Sequence, residues 1–582
     1  MGGGATGPAP RAATVTPKEA SQSASAPKMS KGKTMESQLP RVVRAESGRW
    51  QLVVDGAATV LFGGQVHNST SSSAEHFEAA AEKLRQLNLT VALAPVSWEL
   101  LEPDEGRFDF TQVDDLLDVA RRHGLCLVLL WFGAFKNAAS TYAPRWVRAD
   151  RTRFPRAEVG DEQLRHNPFE TEARATLSVF SPNLRDADRT AFVALLGHLA
   201  EVDAEHTVVM VQVENEIGLL GASRDHNQAA EAAWTADVPA PLLDYLVAER
   251  DRLAPALATA WASQGHRTSG GWADVFGTGW PAAEIFMAWH FASYADDLAA
   301  AGKQVHALPM FVNAWLGPQP GQEQAGEYPS GGPASRVLDV WKAAAPSIDL
   351  LSPDVYVERA AEVLATYDRP DNALFVPESL FSTSSLLLAL GRHGALGFSV
   401  FGAEDGRPGN QFSSACALLA PMAGPLASAQ SQGRVAAVVV DDPDAGAEVR
   451  LGGYTIAVRD AGHQLRRALL DMGVPAPPET TEQPWETEGA AVMAVRSDGR
   501  PMGLLVQESD DTFLVVGTGL SLEFTHPSGP VEIDRLEEGR YSDGRWVRSR
   551  VLNGDERLQL VPLDRFGATR VTLLRLTEES AR

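Results

Sequence analysis

The feature of this sequence that most constrains its fold is a series of eight short apolar runs separated by segments of helical pattern. Each run is continuously apolar rather than alternating, which is typical of strands that are buried on both faces of a sheet. In chain order the runs cover residues 59–63, 89–93, 125–131, 207–213, 310–313, 348–351, 373–376 and 396–400. Strands that alternate with helices form parallel βαβ units. Eight such units predict an α/β protein built on a (β/α)8 TIM barrel.

The character of the sequence changes on both sides of this series. The first 40 residues are rich in Gly, Ala, Ser, Pro and Lys, a composition typical of a disordered tail. Arg49–Val54 and the turn signal Asp55-Gly56 predict a hairpin that caps the bottom of the barrel. After Gly433, turn signals such as Asp498-Gly499 separate short strand candidates. We therefore expect a disordered tail over 1–40, a catalytic barrel with an N-terminal hairpin over 41–432 and a smaller all-β, sandwich-like accessory domain over 433–582.

The net charge of the chain indicates which classes of molecule it is expected to bind. The chain carries 75 acidic and 51 basic residues, which gives a formal net charge of −24. Such a surface disfavours nonspecific binding to nucleic acid or to an anionic membrane, and it suits a protein that handles neutral small molecules or glycans. No stretch is apolar over the roughly 18 residues that a membrane span needs. We expect neither a nucleic acid nor a membrane as partner, and the sequence leaves open whether the chain forms a homo-oligomer.

Cysteine usage and the N-terminal segment bear on metal binding and on the cellular compartment. Cys126 and Cys416 are the only cysteines, and they form neither a CxxC pair nor a disulfide framework. We therefore expect no zinc site built on cysteine. The first 40 residues lack the apolar region of a secretory signal, so we expect a cytoplasmic protein. Met29 and Met35 are alternative start residues, and with either of them as the first residue export stays open.

The strongest chemical signal lies at the end of the fourth run, in Val211-Gln212-Val213-Glu214-Asn215-Glu216-Ile217-Gly218. A buried strand ends there abruptly in an amide flanked by two acids. Unpaired carboxylates are costly to bury, but at the carboxyl end of a barrel strand they line the catalytic mouth. Glu216 is therefore a candidate catalytic residue. Glu214 is either a second mouth residue or a buried structural partner.

A second buried run ends in glutamate, in Phe375-Val376-Pro377-Glu378-Ser379. The seventh strand of an eight-stranded barrel lies across from the fourth, so Glu378 and Glu216 are expected to point into one pocket. Two carboxyl groups about 5 Å apart cleave an acetal when one attacks the anomeric carbon and the other protonates the leaving oxygen and then activates water. This chemistry needs no cofactor. The strand ends show no His-x-His or comparable ligand cluster, so we also expect no metal.

Asn215-Glu216 at the end of strand four, together with Glu378 at the end of strand seven, resembles the superfamily of retaining barrel glycosidases known as clan GH-A. The resemblance implies a role for each of the three residues. Glu216 would be the acid/base, Glu378 the nucleophile, and Asn215 the residue that binds the sugar 2-hydroxyl.

Further motifs make the chain similar to family GH35, the β-galactosidases. They are Gly63-Gly64-Gln65-Val66-His67-Asn68, Val96-Ser97-Trp98-Glu99-Leu100-Leu101-Glu102-Pro103 and Glu105-Gly106-Arg107-Phe108-Asp109-Phe110. The last two are shared with the close relative GH42. The resemblance covers most of residues 55–405, and the all-β tail is similar to the extra domain of a bacterial branch of GH35. It implies release of terminal β-D-galactose from an oligosaccharide or a polysaccharide side chain.

One segment departs from the family pattern. Common GH35 members carry an acidic, cysteine-containing motif after strand three that helps to hold galactose. In this chain the segment reads Trp131-Phe132-Gly133-Ala134-Phe135-Lys136-Asn137. The resemblance therefore supports the mechanism more directly than it supports galactose as the sugar.

Other side chains at strand ends are candidate substrate-binding residues by their position. Aromatic faces suit the C–H surfaces of a sugar, and amide or carboxylate groups suit its hydroxyls. Tyr356 is also expected to hydrogen-bond the nucleophile, as a tyrosine at the end of strand six does in similar barrels. Besides Asn215, the candidates are Gln65, Asn68, Trp98, Glu99, Trp131, Lys136, Asn137, Asn313, Trp315, Asp354, Tyr356 and Glu404.

Three alternatives to a β-galactosidase remain at this point. A hydrolase of the same clan that acts on β-glucosides, β-mannosides or β-xylosides would keep both glutamates. A carbohydrate-binding protein with a dead barrel would have lost one of them, and both are present. A metal-dependent hydrolase barrel would need a ligand cluster at the strand ends.

Overall fold

The computed structural model describes residues 1–2, 38–160, 176–475, 498–558 and 560–576. Most of the predicted N-terminal tail therefore lies outside the described residues. The strands are β1 Arg41–Arg44, β2 Trp50–Val54, β3 Ala57–Thr59, β4 Leu61–Gln65, β5 Val91–Ser97, β6 Cys126–Lys136, β7 Val208–Asn215, β8 Met310–Ala314, β9 Leu350–Val355, β10 Glu378–Ser379, β11 Gly397–Phe401, β12 Val435–Val439, β13 Ala447–Leu451, β14 Tyr454–Asp460, β15 Met502–Ser509, β16 Thr512–Thr518, β17 Leu520–Thr525, β18 Val531–Ser542, β19 Arg545–Val551 and β20 Gly567–Arg575.

The helices fall mainly between the strands of the first half of the chain. They are α1 Ala74–Gln86, α2 Trp98–Leu101, α3 Thr111–His123, α4 Arg145–Ala149, α5 Pro182–Val202, α6 Gln228–Thr235, α7 Ala240–Ala248, α8 Pro255–Ser263, α9 Trp272–Phe276, α10 Trp280–Val305, α11 Leu338–Ala344, α12 Ala360–Tyr367, α13 Thr383–Gly391, α14 Gln411–Leu419, α15 Ala423–Ser431 and α16 Ala461–Asp471. Short 3-10 helices cover Thr70–Ser72, Ala403–Asp405, Ala420–Met422 and Asp555–Leu558.

Strands β4 to β11 form one eight-stranded sheet in the order β10-β9-β8-β7-β6-β5-β4-β11. All seven neighbouring pairs are parallel. The sheet closes through Val376, just before β10, which forms a parallel bridge with Phe398 of β11. The N–H of Val376 donates to the carbonyl of Gly397 at 3.2 Å, and the N–H of Ser399 donates to the carbonyl of Val376 at 2.9 Å. The predicted (β/α)8 barrel is confirmed.

Several strands extend beyond the apolar runs that predicted them. β6 continues to Lys136, β7 to Asn215 and β9 to Val355. The seventh strand is expected over 373–376, but the residues that pair with β9 are Glu378 and Ser379. Within the expected range, Val376 forms only the single bridge to β11. Apolar periodicity cannot follow a strand into the polar mouth of a barrel, because the inward-facing side chains there are carboxyl, amide and hydroxyl groups.

The N-terminal sheet β1-β2-β3 is antiparallel and packs against residues of the barrel interior. Leu52 of β2 is fully buried in a cluster with Leu61, Leu93 and other inward-facing residues of the barrel strands. Asp55, in the turn after β2, pairs with His206, which precedes β7. The sheet therefore covers the amino ends of the strands, as the sequence predicts.

The C-terminal region is built from two antiparallel sheets, a six-stranded sheet β12-β15-β16-β20-β18-β19 and a three-stranded sheet β13-β14-β17. Residues such as Ile456, Val515 and Val571 fill a core between them. This arrangement confirms the predicted all-β region. The expected boundary at 432/433 falls between the end of α15 and the start of β12.

The segment Gln411–Ser431, which contains α14 and α15, joins the two regions. By length and hydropathy it is long and apolar enough to cross a membrane, although half of it is buried inside the structure. Phe412 and Leu426 share a core with Leu504 and Val516 of the six-stranded sheet. A buried core helix passes the same test, so the segment is only weak evidence for a membrane span.

Candidate active site

Glu216 lies immediately after β7, at the carboxyl end of the fourth barrel strand, and its side chain is buried. Its backbone has a φ of 45°, in the left-handed region, and Glu214 has a φ of 60°. The N–H of Glu216 donates to Oδ1 of Asn313 at 2.9 Å. The N–H of Ala138 donates to the carbonyl of Glu216 at 3.2 Å. Contacts from β8 and from the segment after β6 thus hold a backbone conformation that is unfavourable for a residue with a side chain.

Glu378 lies in β10 and accepts three hydrogen bonds. Oε1 accepts from Nε2 of Gln65 at 2.9 Å and from Nδ2 of Asn215 at 3.4 Å. Oε2 accepts from the hydroxyl of Tyr356 at 2.6 Å. Both oxygens are therefore oriented by side chains from β4, β7 and the end of β9.

The environment of Glu216 raises its pKa to about 7. Burial is the largest cause, and the negative charge of Glu378 is the second. The charge of Lys136 and hydrogen bonds from Asn137 and Asp354 act in the opposite direction. Glu216 can therefore hold a proton close to neutral pH, which a general acid needs.

Lys136 and Asn137 form a short relay beside Glu216. Nζ of Lys136 donates to Oδ1 of Asn137, and Nδ2 of Asn137 donates to Oε2 of Glu216. Asn137 and Ala138 both have positive φ, and the N–H of Asn137 donates to the carbonyl of Asn215 at 3.0 Å. The segment that departs from the GH35 pattern thus contacts the candidate acid directly.

Asp354 of β9 adds a third buried carboxyl group to the mouth. Its Oδ2 accepts from Nδ2 of Asn313 at 2.8 Å. Burial, followed by the charges of Glu378 and Glu216, raises the pKa of Asp354 well above its usual range.

The mouth contains buried oxygens that have no hydrogen-bond partner within the described residues. All of them are acceptors on amide or carboxyl groups, and a polyhydroxyl ligand would supply the missing donors. Glu404 shows the arrangement: its Oε1 accepts from the N–H of His67 at 2.9 Å and from the hydroxyl of Thr70 at 2.8 Å, while its Oε2 has no partner. The unpartnered oxygens are Oε1 of Gln65, Oδ1 of Asn68, Oδ1 of Asn215, Oδ1 of Asp354 and Oε2 of Glu404.

Two predicted binding residues lie in the core instead. Trp98 and Trp131 are fully buried. The indole N–H of Trp98 donates to Oε2 of Glu102 at 2.8 Å, and that of Trp131 donates to Oδ1 of Asp188 at 2.8 Å. The expectation that these tryptophans line the mouth is corrected, because their polar atoms are satisfied by buried carboxyl groups beneath it.

Glu99 and Trp315 stand apart from the carboxyl cluster. Glu99 is the second residue of the short helix α2, its side chain is about two-fifths exposed, and it pairs with Arg148. Trp315 is half-buried, and its indole N–H donates to Oε1 of Gln322 at 3.3 Å. Neither contacts Glu216 or Glu378 in the contacts that the described residues make.

Two buried acids, Glu214 and Asp188, lie next to the site, and the sequence analysis did not identify Asp188. Oε1 and Oε2 of Glu214 accept from the N–H groups of Ala134 and Phe135 at 3.2 and 2.7 Å. Asp188 of α5 is buried close to Glu214 and accepts from Trp131 and Tyr294. Glu214 is thus a buried structural partner, the second of the two roles expected for it. The signal for Asp188 was an acid on the apolar face of a predicted helix.

The last residues of β6 fit closely over this acid pair. A Cβ at Gly133 would lie 2.7 Å from Oδ1 of Asp188 and 2.8 Å from Oε1 of Glu214. Only glycine leaves room for both carboxyl groups. Gly133 therefore lets the segment approach the strand that carries Glu216.

A cavity of about 940 Å³ lies elsewhere, among α7, α8, α11 and α12. Two of its basic side chains are in ion pairs, since Arg369 pairs with Asp339 and Asp371, and Arg336 pairs with Glu284. None of the mouth residues lines it. Over the described ranges there is also no group of three or more His, Cys, Asp or Glu side chains that could hold a metal ion.

Two family models match parts of the chain. Residues 67–265 match the model Glyco_hydro_42, described as Beta-galactosidase. Residues 412–563 match DUF5597, a domain of unknown function. No curated protein matches the sequence.

Solved structures of β-galactosidases also resemble the chain, at low identity. The enzyme from Rahnella sp. R3 is 18% identical, with 63% of this chain and 57% of that chain covered and a TM-score of 0.40. The enzyme from psychrophilic Marinomonas ef1 is 14% identical, with 58% and 53% covered and a TM-score of 0.38. The chain spans about half the length of these proteins. With TM-scores this low, the likeness carries no weight for activity.

The expectation of family GH35 is not supported, because the model that matches is that of family 42. The motifs shared by the two families, from Val96 to Phe110, lie inside the matched region. The barrel strands lie between Leu61 and Phe401, and residues 67–265 are similar to the glycoside hydrolase 42 family.

Proposed function

We propose that this chain is a retaining glycoside hydrolase that releases terminal β-D-galactose from β-galactosides. The observation that carries the proposal is the contrast between two glutamates at one barrel mouth. Glu378 accepts three hydrogen bonds on its two oxygens. Burial and the negative charge of Glu378 raise the pKa of Glu216 to about 7. Glu378 thus has the properties of an oriented nucleophile, and Glu216 has those of a proton donor.

The first chemical step forms a covalent glycosyl-enzyme. An oxygen of Glu378 attacks the anomeric carbon, the bond from that carbon to the leaving oxygen breaks, and Glu216 gives its proton to the departing oxygen. Tyr356 and Gln65 keep the attacking carboxylate in place through their hydrogen bonds. The leaving group departs as an alcohol, and Glu216 is then ionised.

The second step releases the sugar. Glu216 accepts a proton from water, the water oxygen attacks the anomeric carbon, and the bond from that carbon to Glu378 breaks. The sugar leaves with its original anomeric configuration, and both glutamates return to their starting states. No cofactor takes part in either step. We assign Asn215 to the sugar 2-hydroxyl, since its Oδ1 is buried without a partner and its Nδ2 contacts Glu378.

Galactose is proposed as the sugar because residues 67–265 match the model described as Beta-galactosidase. The unpartnered acceptor oxygens of the mouth suit the hydroxyls of any hexose. A glycosidase of the same clan that acts on another β-glycoside would use the same two glutamates, so the identity of the sugar needs its own test.

A panel of p-nitrophenyl glycosides tests the proposal. The β-D-galactoside is compared with the β-D-gluco, β-D-manno, β-D-xylo and α-L-arabino compounds, the last of which matches galactose without its hydroxymethyl group. We expect the highest kcat/KM on the galactoside and release of β-galactose as the first product by NMR. A preference for another sugar would discard galactose and keep the mechanism. Release of the inverted anomer would contradict the retaining mechanism, and no hydrolysis of any compound would favour a binding protein.

A further inference from the structure

We propose that Asn137, with its amide group oriented by Lys136, fixes which oxygen of Glu216 carries the proton that is given to the leaving group. The inference rests on the proposed function, in which Glu216 is the acid/base. It makes Asn137 a positioning residue that acts through Glu216, and it gives the segment that departs from the GH35 pattern a part in the reaction.

A tight turn at the end of β6 brings the side chain of Asn137 to Glu216. The N–H of Lys136 donates to the carbonyl of Ala139 at 2.7 Å, and the N–H of Ala139 donates to the carbonyl of Lys136 at 3.0 Å. Between them, Asn137 and Ala138 have φ of 51° and 54°. Two central residues with positive φ are typical of two-residue hairpin turns, in which asparagine is favoured.

The tip of this turn is bonded to the end of the fourth barrel strand. The N–H of Asn137 donates to the carbonyl of Asn215 at 3.0 Å, and the N–H of Ala138 donates to the carbonyl of Glu216 at 3.2 Å. The backbones of Asn137 and Glu216 are therefore held side by side. Their side chains meet without having to order a mobile loop first.

The amide group of Asn137 can face Glu216 only through its NH2 group. Nζ of Lys136 donates to Oδ1 of Asn137, and Nδ2 of Asn137 donates to Oε2 of Glu216. An ammonium group has three N–H donors and no acceptor, so Lys136 keeps the amide oxygen on its own side. Lys136 is itself buried, and its Nζ lies 4.9 Å from the centre of the Phe132 ring, a contact that favours the cation in this place.

The direction of this hydrogen bond decides where Glu216 keeps its proton. In a protonated carboxyl group the carbonyl oxygen is the better acceptor, and the hydroxyl oxygen carries the hydrogen. Because Oε2 accepts from Asn137, the proton is favoured on Oε1. Oε1 is therefore the oxygen that we expect to face the leaving group.

The hydrogen bond from Asn137 stays in place through both chemical steps. In the first step the O–H of Oε1 gives its proton to the leaving oxygen, and in the second step Oε1 takes a proton from the attacking water. Oε2 accepts from Asn137 before, between and after these transfers, so the number of protons in the pair changes only at Oε1.

The charges around Glu216 show what the contact contributes. Burial and the negative charge of Glu378 favour the protonated form of Glu216, whereas the charge of Lys136 and the hydrogen bond from Asn137 favour the ionised form and so lower its pKa. Glu216 can thus release its proton and recover it within one cycle. The titratable groups that face Glu216 are Glu378, Asp354, Lys136 and Tyr356.

Two substitutions of Asn137 test the inference, because glycine and aspartate both tolerate its left-handed backbone. Asn137→Gly removes the donor, so we expect the plateau of kcat/KM to fall by about tenfold and its alkaline limb to move to higher pH. Asn137→Asp keeps the shape but turns a carboxylate toward Oε2, and its alkaline limb should move further in the same direction. An unchanged alkaline limb in Asn137→Gly, or an Asn137→Asp variant that behaves like wild type, would overturn the proposal.

Asn88→Gly is the matched control. Asn88 also has a positive φ, of 62°, and its Nδ2 donates to the carbonyl of Ser413 at 3.2 Å, but it precedes β5 at the amino end of that strand. The variant should leave the pH profile unchanged even if it lowers stability. A displacement of the alkaline limb equal to that of Asn137→Gly would trace the effect to backbone freedom and would contradict the proposal.

A second readout measures Glu216 without any substrate. A carboxyl group whose pKa is higher in the folded than in the unfolded protein makes the fold less stable as the pH rises between the two values. Glutamine does not titrate, so the Tm of Glu216→Gln relative to wild type should rise from about pH 4 and level off near pH 7, the pKa of Glu216 being about 7. Made in Asn137→Gly and compared with it, the same substitution should level off at higher pH.

The two readouts separate the possible failures. A Tm difference that levels off at the same pH with and without the Asn137 side chain would overturn the inference, whether or not the protein hydrolyses a glycoside. The expected displacement in a protein that is inactive on every glycoside would contradict only the proposed function. If Asn137→Gly does not fold, Asn137→Asp replaces it in both measurements, with the same direction expected.

Discussion

At the scale of single residues, the site assigns different tasks to identical side chains by their surroundings. Glu378 is held by donors on both oxygens, whereas Glu216 is buried beside a carboxylate and next to an amide relay. Glu214, two positions before Glu216, turns into the protein and accepts backbone N–H groups. Three glutamates of the same type therefore become nucleophile, acid/base and scaffold in the proposed enzyme.

The nucleophile assignment makes a direct prediction. Glu378→Ala should lower kcat on an activated aryl galactoside by at least about a thousandfold, because no covalent intermediate can form. Azide should restore turnover by attacking from the vacated space, and the product should be the glycosyl azide of inverted configuration. The matched control is Glu362→Ala, since Glu362 lies on α12 with its side chain three-quarters exposed. Full activity in Glu378→Ala would disprove the role of Glu378.

Lys136 gives a prediction about pH. Activity requires protonated Glu216, so kcat/KM of the wild type should fall as the pH rises through about 7. The positive charge of Lys136 lowers the pKa of Glu216. Removing that charge in Lys136→Met should raise the pKa of Glu216 and move the alkaline limb of kcat/KM to higher pH. Steady-state pH profiles of wild type and variant on one substrate would measure the shift, and a shift to lower pH would count against the assignment.

At the scale of elements, the acid pair of Glu214 and Asp188 connects three parts of the barrel wall. Asp188 lies on α5 and accepts from Tyr294 of α10 at 2.6 Å and from Trp131 of β6 at 2.8 Å. Glu214 of β7 accepts from the backbone N–H groups of Ala134 and Phe135, near the end of β6. The loop that bears Lys136 and Asn137 is thus tied to helices on the outside of the barrel.

Asp188→Ala should therefore be strongly destabilising. It leaves the hydroxyl of Tyr294 and the indole N–H of Trp131 without their acceptor, at a cost of about 3 kcal/mol or more. Urea unfolding followed by tryptophan fluorescence would measure the loss. Asp186→Ala, an exposed aspartate two positions earlier on the chain, should change stability by less than about 0.5 kcal/mol. Similar losses in both variants would show that the buried network contributes little.

The sequence predicts the elements better than it predicts which way their side chains point. Eight apolar runs were sufficient to identify the barrel, because strands buried on both faces have an unusual composition. Glu216 and Glu378 were found because a carboxyl group that directly follows such a run falls at the barrel mouth. Trp98 and Trp131 were misplaced, since their orientation depends on Glu102 and Asp188, which lie 4 and 57 positions away along the chain. The hydrogen bond from Asn313 to Asp354 joins residues 41 positions apart along the chain, so no local pattern could reveal it.

At the scale of the whole molecule, the β region is packed against the barrel rather than tethered to it. Leu504 and Val516 of its six-stranded sheet share a core with helices of the barrel. Gly391, the last residue of α13, lies at this contact, where an added Cβ would be 2.6 Å from Cβ of Ala437 and 2.7 Å from the backbone nitrogen of Ala437. Backbone on the facing side cannot move aside as a flexible side chain would.

Gly391→Ala should accordingly lower the free energy of unfolding by about 1–3 kcal/mol, because overpacking at a rigid contact forces the two regions apart. Gly197→Ala is the control, since its nearest neighbour would be 3.7 Å away and alanine favours helix. Calorimetry of both variants would measure the difference. Separate unfolding transitions for the barrel and the β region in Gly391→Ala would identify the contact as the one that couples them, whereas equal stability of both variants would argue that the interface is loosely packed.

The five unpartnered oxygens of the mouth decide what kind of molecule can stay there. Three of them are amide oxygens, which can only accept a hydrogen bond, so we expect the mouth to select ligands by the hydroxyl groups they bring and not by shape alone. A permethylated sugar has nearly the same ring as its parent and brings no hydroxyl protons. It would displace water from these oxygens without donating hydrogen bonds to them. We therefore expect it to bind poorly, although both glutamates are in place.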